Sequence, residues 1–360
     1  MAKTMTSKER VLTAFARREP DRVPINYGAN PGIDARLKAH FGLRPDDEEG
    51  LLRALGVDFR RLGAPYAGPR LHPEIPDRHV DPVWGWITRY VEHGAGGYWD
   101  YVDFPLRDAD EETVARWPMP SPDDFDYSRL RAACEENKEY AVGVGSPGLA
   151  CIMNTAGFWR GMEQMFLDLV TEDPAGFLLI DRMLEVHLEI TRRELEAAKG
   201  GVDFIWIGED LGTQRGPLIS METFRKQIKP RHKPFFDLAR AYDLPVMMHT
   251  CGSSSWAYDD YIGMGLGVAD TLQPEARDMA PEYLKRRFGD RLAFHGCVST
   301  AGPVSFGTVD EVIADCRKTL DAMMPGGGYC FAPTHQLQDN SPTENVVAMY
   351  ETARGFGRYK

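Results

Sequence analysis

Two apolar runs, Asp203-Phe204-Ile205-Trp206-Ile207 and Pro245-Val246-Met247-Met248-His249, with a helical pattern over 221 to 242 between them, decide the fold. Each run is short and apolar, as a strand buried on both faces must be. Parallel strands need a crossover of a dozen or more residues, and the helix supplies it. Working outward, the same unit recurs. Towards the N-terminus lie Val23-Pro24-Ile25-Asn26, Val57-Asp58-Phe59 and Ala141-Val142-Gly143-Val144. Towards the C-terminus lie Val268-Ala269-Asp270-Thr271-Leu272, Leu292-Ala293-Phe294-His295 and Gly328-Tyr329-Cys330-Phe331. Helical patterns near 33 to 55, 158 to 198, 254 to 264, 279 to 288, 309 to 323 and 343 to 355 separate most of them. Eight strands alternating with helices predict an α/β chain folded as a single (β/α)8 TIM barrel over 1–360. A doubly wound open sheet competes, but no Gly-x-Gly-x-x-Gly follows the first strand.

The barrel carries two additions. Lys8 to Arg18 reads as an N-terminal helix, with Val11, Leu12, Phe15 and Ala16 at helical spacing, stopped by Pro20-Asp21-Arg22. Residues 63–138 interrupt the alternation and read as an insertion between strands two and three, a lid or specificity element. Its aromatic residues Tyr90, Tyr98, Trp99 and Tyr101 suit packing equally well. Two helix starts are signed: Thr308 with Glu311 forms a capping-box pattern, and Ser341-Pro342-Thr343-Glu344 places proline at the first helical position.

Composition excludes several classes. The 360 residues carry 42 Lys+Arg against 54 Asp+Glu, a net charge of -12, which argues against a nucleic-acid backbone or an anionic membrane as main partner. No run of about 18 apolar residues marks a membrane span. Met1 to Arg10 holds no apolar core of a secretory signal. Six cysteines are too sparse for a disulfide scaffold. The expectation is a cytoplasmic protein with reduced thiols, which are free to bind metal.

His249-Thr250-Cys251-Gly252 is the sharpest local feature. Residues i and i+2 of a strand point to one side, so His249 and Cys251 share a space at the C-terminal end of strand five, where barrel active sites are built. Cys330 projects opposite to Tyr329 and Phe331 in strand eight, after three glycines, and is an inward ligand candidate. One imidazole and two thiolates would make a three-ligand zinc site with an open position. Against this, a lone His-x-Cys is commonly incidental, and buried cysteine is commonly a small hydrophobe. Glu209, at the end of strand four, is a fourth ligand or catalytic base, or else a helix or loop cap. Cys297 ends strand seven and reads as a spare ligand or, more simply, a bystander. Gln273, Glu275 and His335 either line the pocket or are ordinary loop residues. Arg215 is either solvated or meets a substrate anion, and Cys134 and Cys316 read as helix packing. Zinc held by two thiolates is a soft, weak Lewis acid suited to sulfur, so alkyl transfer to or from sulfur is the natural chemistry.

Lys8-Glu9-Arg10-Val11 through Pro20-Asp21-Arg22-Val23-Pro24, Asp210-Leu211-Gly212-Thr213-Gln214-Arg215-Gly216-Pro217 with Lys229-Pro230-Arg231, His249-Thr250-Cys251-Gly252, and Gly326-Gly327-Gly328-Tyr329 through Ser341-Pro342-Thr343-Glu344-Asn345 resemble the uroporphyrinogen decarboxylase superfamily over nearly the whole chain. The resemblance implies a (β/α)8 barrel. The true decarboxylases hold an acidic tetrapyrrole with an Arg-Gln-Ala-Gly-Arg segment after the first strand. Here that place is taken by Asn26-Tyr27-Gly28-Ala29-Asn30-Pro31. The zinc-dependent, corrinoid-linked methyltransferase branch has His-x-Cys followed far downstream by Cys, a pattern that His249, Cys251 and Cys330 match.

The resemblance therefore implies zinc on His249, Cys251 and Cys330, with Glu209 as proton handler or fourth ligand. It also implies a partner corrinoid protein carrying cobalamin, and methyl transfer to or from a small O- or S-methyl substrate or a thiol, as in O-demethylation. A homodimer is compatible with this reading. The rival expectations are a metal-free lyase acting on a smaller carboxylic acid and a non-catalytic ligand-binding barrel.

Overall fold

The computed structural model describes residues 4–93 and 96–360. Among the described residues ten strands are formed. β1 (Phe59–Leu62), β5 (Ala141–Gly145), β6 (Phe204–Gly208), β7 (Val246–Thr250), β8 (Leu266–Thr271), β9 (Ala293–Val298) and β10 (Tyr329–Pro333) make one parallel sheet, in the order β1-β5-β6-β7-β8-β9-β10. Every residue of β7, β9 and β10 is buried, as expected of strands covered by helices on one face and by the barrel core on the other.

The first predicted strand closes this sheet. Ile25 bridges Phe331 of β10 in parallel. Asn26 N–H donates to the Phe331 carbonyl at 2.9 Å, and Phe331 N–H to the Pro24 carbonyl at 2.8 Å. On the other side, Asp58 N–H donates to the Ile25 carbonyl at 2.8 Å. Segment 23–26 thus lies between β10 and β1 and completes an eight-membered ring. It forms few ladder bonds because Pro24 has no N–H to give.

The second predicted strand begins later than expected, at Phe59, because Asp58 is spent on anchoring. Its buried carboxylate accepts from Arg10 Nη1 at 2.7 Å, Arg22 Nη1 at 2.7 Å and Ile25 N–H at 2.8 Å. The N-terminal helix Ser7–Phe15, capped by Thr6 and Glu9, brings Arg10 to that network. It also sets Phe15 against Phe59 and Phe204, with ring centroids 6.1 and 5.6 Å apart. The expected capping box of Thr308 and Glu311 opens the helix Val309–Met323. Pro342 is the cap of Thr343–Phe356 rather than its first helical residue.

The interruption between β1 and β5 contains β2 (His79–Val80), β3 (Ile87–His93) and β4 (Gly96–Asp103), an antiparallel sheet in the order β2-β3-β4. It docks on the helix Met153–Arg160, which follows β5. Trp159 Nε1 donates to the Trp84 carbonyl at 2.7 Å, and Tyr101 stacks on Phe158 at 3.7 Å. Tyr101 is therefore packing, whereas Tyr90 and Trp99 remain exposed and touch each other. Among the described residues no helix is long and apolar enough to cross a membrane.

Candidate metal centre at the barrel mouth

Three ligand-type side chains meet at the C-terminal ends of β7 and β10. The donor atoms of His249, Cys251 and His335 lie within 4.8 Å of one another. His249 Nε2 is 3.3 Å from Cys251 Sγ. His249 is buried, Cys251 half-buried and His335 exposed, so the cluster runs from the barrel interior to its rim.

The His249 ring is held from behind. Its Nδ1 lies 3.1 Å from Asp270 Oδ2 and 2.5 Å from the Thr271 hydroxyl. Asp270 is itself fixed: Trp206 Nε1 donates to Oδ2 at 3.0 Å, and Thr271 N–H donates to Oδ1 at 2.6 Å. His295 Nδ1 lies 2.5 Å from Oδ1, and His295 Nε2 lies 2.9 Å from Asn26 Nδ2. A carboxylate on Nδ1 selects the tautomer that leaves Nε2 free as a ligand. Burial opposes ionisation of Asp270, but the His295 and His249 imidazoles outweigh it and hold the carboxyl well below its usual range. Burial also opposes charging His249, yet Asp270 and Cys251 prevail and raise its pKa well above the ordinary value. For the Cys251 thiol burial dominates and raises the pKa, with His249 pulling the other way.

Local backbone serves this geometry. Gly252 has φ +67°, and a Cβ there would sit 2.1 Å from the Gly212 carbonyl oxygen. A Cβ on Gly212 would in turn meet the Ser253 carbonyl oxygen at 2.3 Å. The loops after β6 and β7 therefore cross backbone against backbone, which only glycine allows. That crossing brings Asp210 to the mouth. Its Oδ1 accepts Cys251 N–H at 2.8 Å and lies 3.7 Å from His249 Nε2, while Asn154 Nδ2 donates to its Oδ2 at 2.7 Å. Thr271 holds φ +85°, an outlier for a β-branched residue, at the point where its hydroxyl meets His249.

A cavity of about 160 Å³ adjoins the cluster, lined by Cys251, Thr271, Gln273, Glu275, Thr300, Ala301, Thr334 and His335. Gln273, Glu275 and His335 thus line a pocket. A larger recess of about 660 Å³ lies between the outer helices Lys229–Ala241 and Tyr258–Met264. It shares no residue with the cluster, and its Arg225 and Lys229 are paired with Asp260.

The structure brings together His249 and Cys251 of the expected ligands, and it does not bring Cys330 to them. Gly208, His249, Asp270, His295 and Cys330 form one row of register partners across β6 to β10. They therefore face the same side. In a barrel, however, strands tilt about 36° to the axis, so a row at 4.8 Å per strand sinks as it is followed round. Three strands on from His249, the descent is roughly 8 Å. Cys330 is completely buried and outside the ligand group, and burial, then Asp58 and Asp270, push its thiol pKa well up. The level of the cluster on this side is reached beyond the end of β10, at His335.

Glu209 is also placed elsewhere. Its wholly buried carboxylate accepts Ile152 N–H at 2.8 Å and Met153 N–H at 3.0 Å, and it lies 3.4 Å from His232 Nε2. It caps the helix Met153–Arg160, the structural alternative for this residue. Cys297 is buried outside the cluster, and Arg215 is exposed and does not line the cavity. Sequence reasoning missed Asp270, His295 and Asp210. The only available signal was strand periodicity, which puts Asp270 and His295 inward.

A closed parallel barrel whose C-terminal mouth holds a His–Cys–His cluster, backed by a buried carboxylate, defines the class. Residues 125–356 match the family described as Uroporphyrinogen decarboxylase (URO-D), and the chain belongs to that family. Among solved structures, a methyltransferase from Methanosarcina mazei superposes with a TM-score of 0.62 at 18% identity, covering 98% of this chain and 99% of that one. At that identity the likeness is one of fold. No curated protein matches the sequence.

Proposed function

We propose that the chain is a zinc-dependent methyltransferase. On this reading it moves a methyl group between a small O- or S-methyl substrate, or a thiol, and the cobalamin of a separate corrinoid protein. The observation that carries the reading is the His249–Cys251–His335 cluster with Asp270 on the far nitrogen of His249. The donor set fits zinc: two imidazoles and one thiolate leave a fourth position for substrate. The chain-long likeness to a methyltransferase structure adds support. A zinc ion held there would supply Lewis acidity, lowering the pKa of an entering thiol or polarising a methyl donor.

The chain's own residues do the rest. Asp270 and Thr271 fix the His249 ring. Asp210, 3.7 Å from His249 Nε2, can take up a proton released at the mouth. Thr271, Gln273, Thr300 and Thr334 offer hydrogen bonds to a polar substrate. We assign the insertion at 63–138 the role of specificity element, because it packs on the helix whose Asn154 holds Asp210. The corrinoid partner would approach the rim on which His335 is exposed. A lyase for carboxylic acids would want a cation for its substrate, and neither Lys nor Arg lines the cavity.

The test is metal content of protein purified under reducing conditions, followed by methyl transfer between cobalamin and small methyl compounds, read by absorbance. Protein that never takes up stoichiometric zinc would sink the reading.

A further inference from the structure

The cavity beside the cluster has a charge that the metal does not explain. Glu275 lies four residues beyond Thr271, in the loop after β8, and lines the cavity with Cys251 and His335. Ser299 Oγ donates to Glu275 Oε1, and Ala301 N–H donates to Ser299 Oγ at 3.1 Å. This chain fixes the carboxylate through one oxygen. Among the described residues no Lys, Arg or His forms an ion pair with it. The nearby Arg277 is turned to Asp278, at 3.6 Å. The other lining side chains, Thr271, Gln273, Thr300 and Thr334, are neutral and hydrogen-bonding.

A carboxylate held in place without a cation is a preformed counter-charge. It lowers the cost of bringing in a positive group or a strong donor, and it opposes an anion. Size adds a second constraint. At about 160 Å³ the cavity admits only a small portion of a substrate.

We propose that Glu275 sets substrate specificity: the cavity takes a small polar molecule whose far end carries an ammonium or hydroxyl donor, and it discriminates against carboxylates. The inference rests on the metal reading above, since the donor end is defined relative to the group that enters the cluster. Glu275 is a specificity residue; the cluster and Asp210 remain the reactive parts.

Three thiols of similar size test it: cysteamine, 2-mercaptoethanol and mercaptoacetate. Each is titrated into the full chain loaded with Co²⁺, where the thiolate-to-cobalt absorption band reports entry into the cluster. The same series is run on Glu275→Gln. Comparing ratios of affinity between the two proteins cancels the thiols' own acidities. Glu275 is exposed and, among the described residues, hydrogen-bonds only to Ser299, so this variant folds. Expected is a cysteamine preference over mercaptoacetate that falls about fivefold in Glu275→Gln, the scale of a solvent-screened ion pair. Identical ratios in the two proteins, or tighter binding of mercaptoacetate in wild type, overturn the proposal. Protein that takes up no cobalt overturns the metal reading instead. Calorimetric titration of the metal-free chain with the same thiols then decides the role of Glu275 by the same ratios.

Discussion

Asp270→Asn perturbs the point on which the proposed centre depends. The two carboxylate oxygens serve four neighbours: His249 Nδ1 and Trp206 Nε1 at Oδ2, and His295 Nδ1 and Thr271 N–H at Oδ1. An asparagine keeps one acceptor oxygen and turns an NH2 group towards the other pair. Whichever way the amide lies, two buried donors face a donor, at about 1–3 kcal/mol for each one left unpaired. If the amide faces His249, the ring loses its acceptor at Nδ1 and the tautomer with Nε2 free is no longer selected. Loss of such an outer partner weakens metal binding about 10- to 100-fold, or roughly 1.4 to 2.7 kcal/mol. Zinc affinity is measured by competition with a chromophoric chelator, and the Co²⁺ spectrum reports ligand geometry. Thermal unfolding of the metal-free proteins measures the structural cost separately. A folded Asp270→Asn protein that binds zinc with wild-type affinity would refute the reasoning, even if its stability had dropped.

Three further outcomes follow from the structure. His335→Ala is expected to lower metal occupancy sharply, whereas Cys330→Ser leaves occupancy unchanged and costs only stability, so metal analysis of the two variants separates the competing third ligands. Asp58→Ala leaves Arg10, Arg22 and the Ile25 N–H without their shared partner, and denaturant unfolding should show a loss of about 3–5 kcal/mol. Burial raises the Glu194 carboxyl to about 7 against a partial offset from the Ala64 N–H. The folded state therefore holds that proton more tightly than the unfolded chain. The stability contributed is greatest below the ordinary glutamate range and declines as pH rises towards about 7, by roughly 3 kcal/mol in all. Glu194→Gln should then raise the Tm by a few degrees at pH 8 and change it little near pH 4, which thermal scans at the two values would show.

The strand count, with 23–26 as its first member, and the interruption of the alternation after the second strand were legible because each rests on local pattern. Buried parallel strands read as short apolar runs, and the crossover helices show their own period. Two of the three cluster residues were legible for the same reason: His249 and Cys251 are two residues apart on one strand, and i, i+2 parity is a local rule. The Glu209 carboxylate shows the limit of such rules. Its position at a strand end suited catalysis and capping alike, and only the arrival of Ile152 and Met153 N–H groups from the preceding βα unit spends it on a cap.

The sequence by itself determined the class of fold, the inward side of Cys330 and the His–x–Cys pair. It could not determine depth. Parity places Cys330 inward, but the tilt of strands in a closed barrel decides which inward residues share a level, and tilt is a property of the closed ring. That is why Cys330 lies below the cluster and His335, a loop residue with no periodic signal, reaches it. Closure likewise brings Asn26, from the distant segment 23–26, onto the hydrogen-bonded line that His249, Asp270 and His295 of three successive strands form behind the mouth.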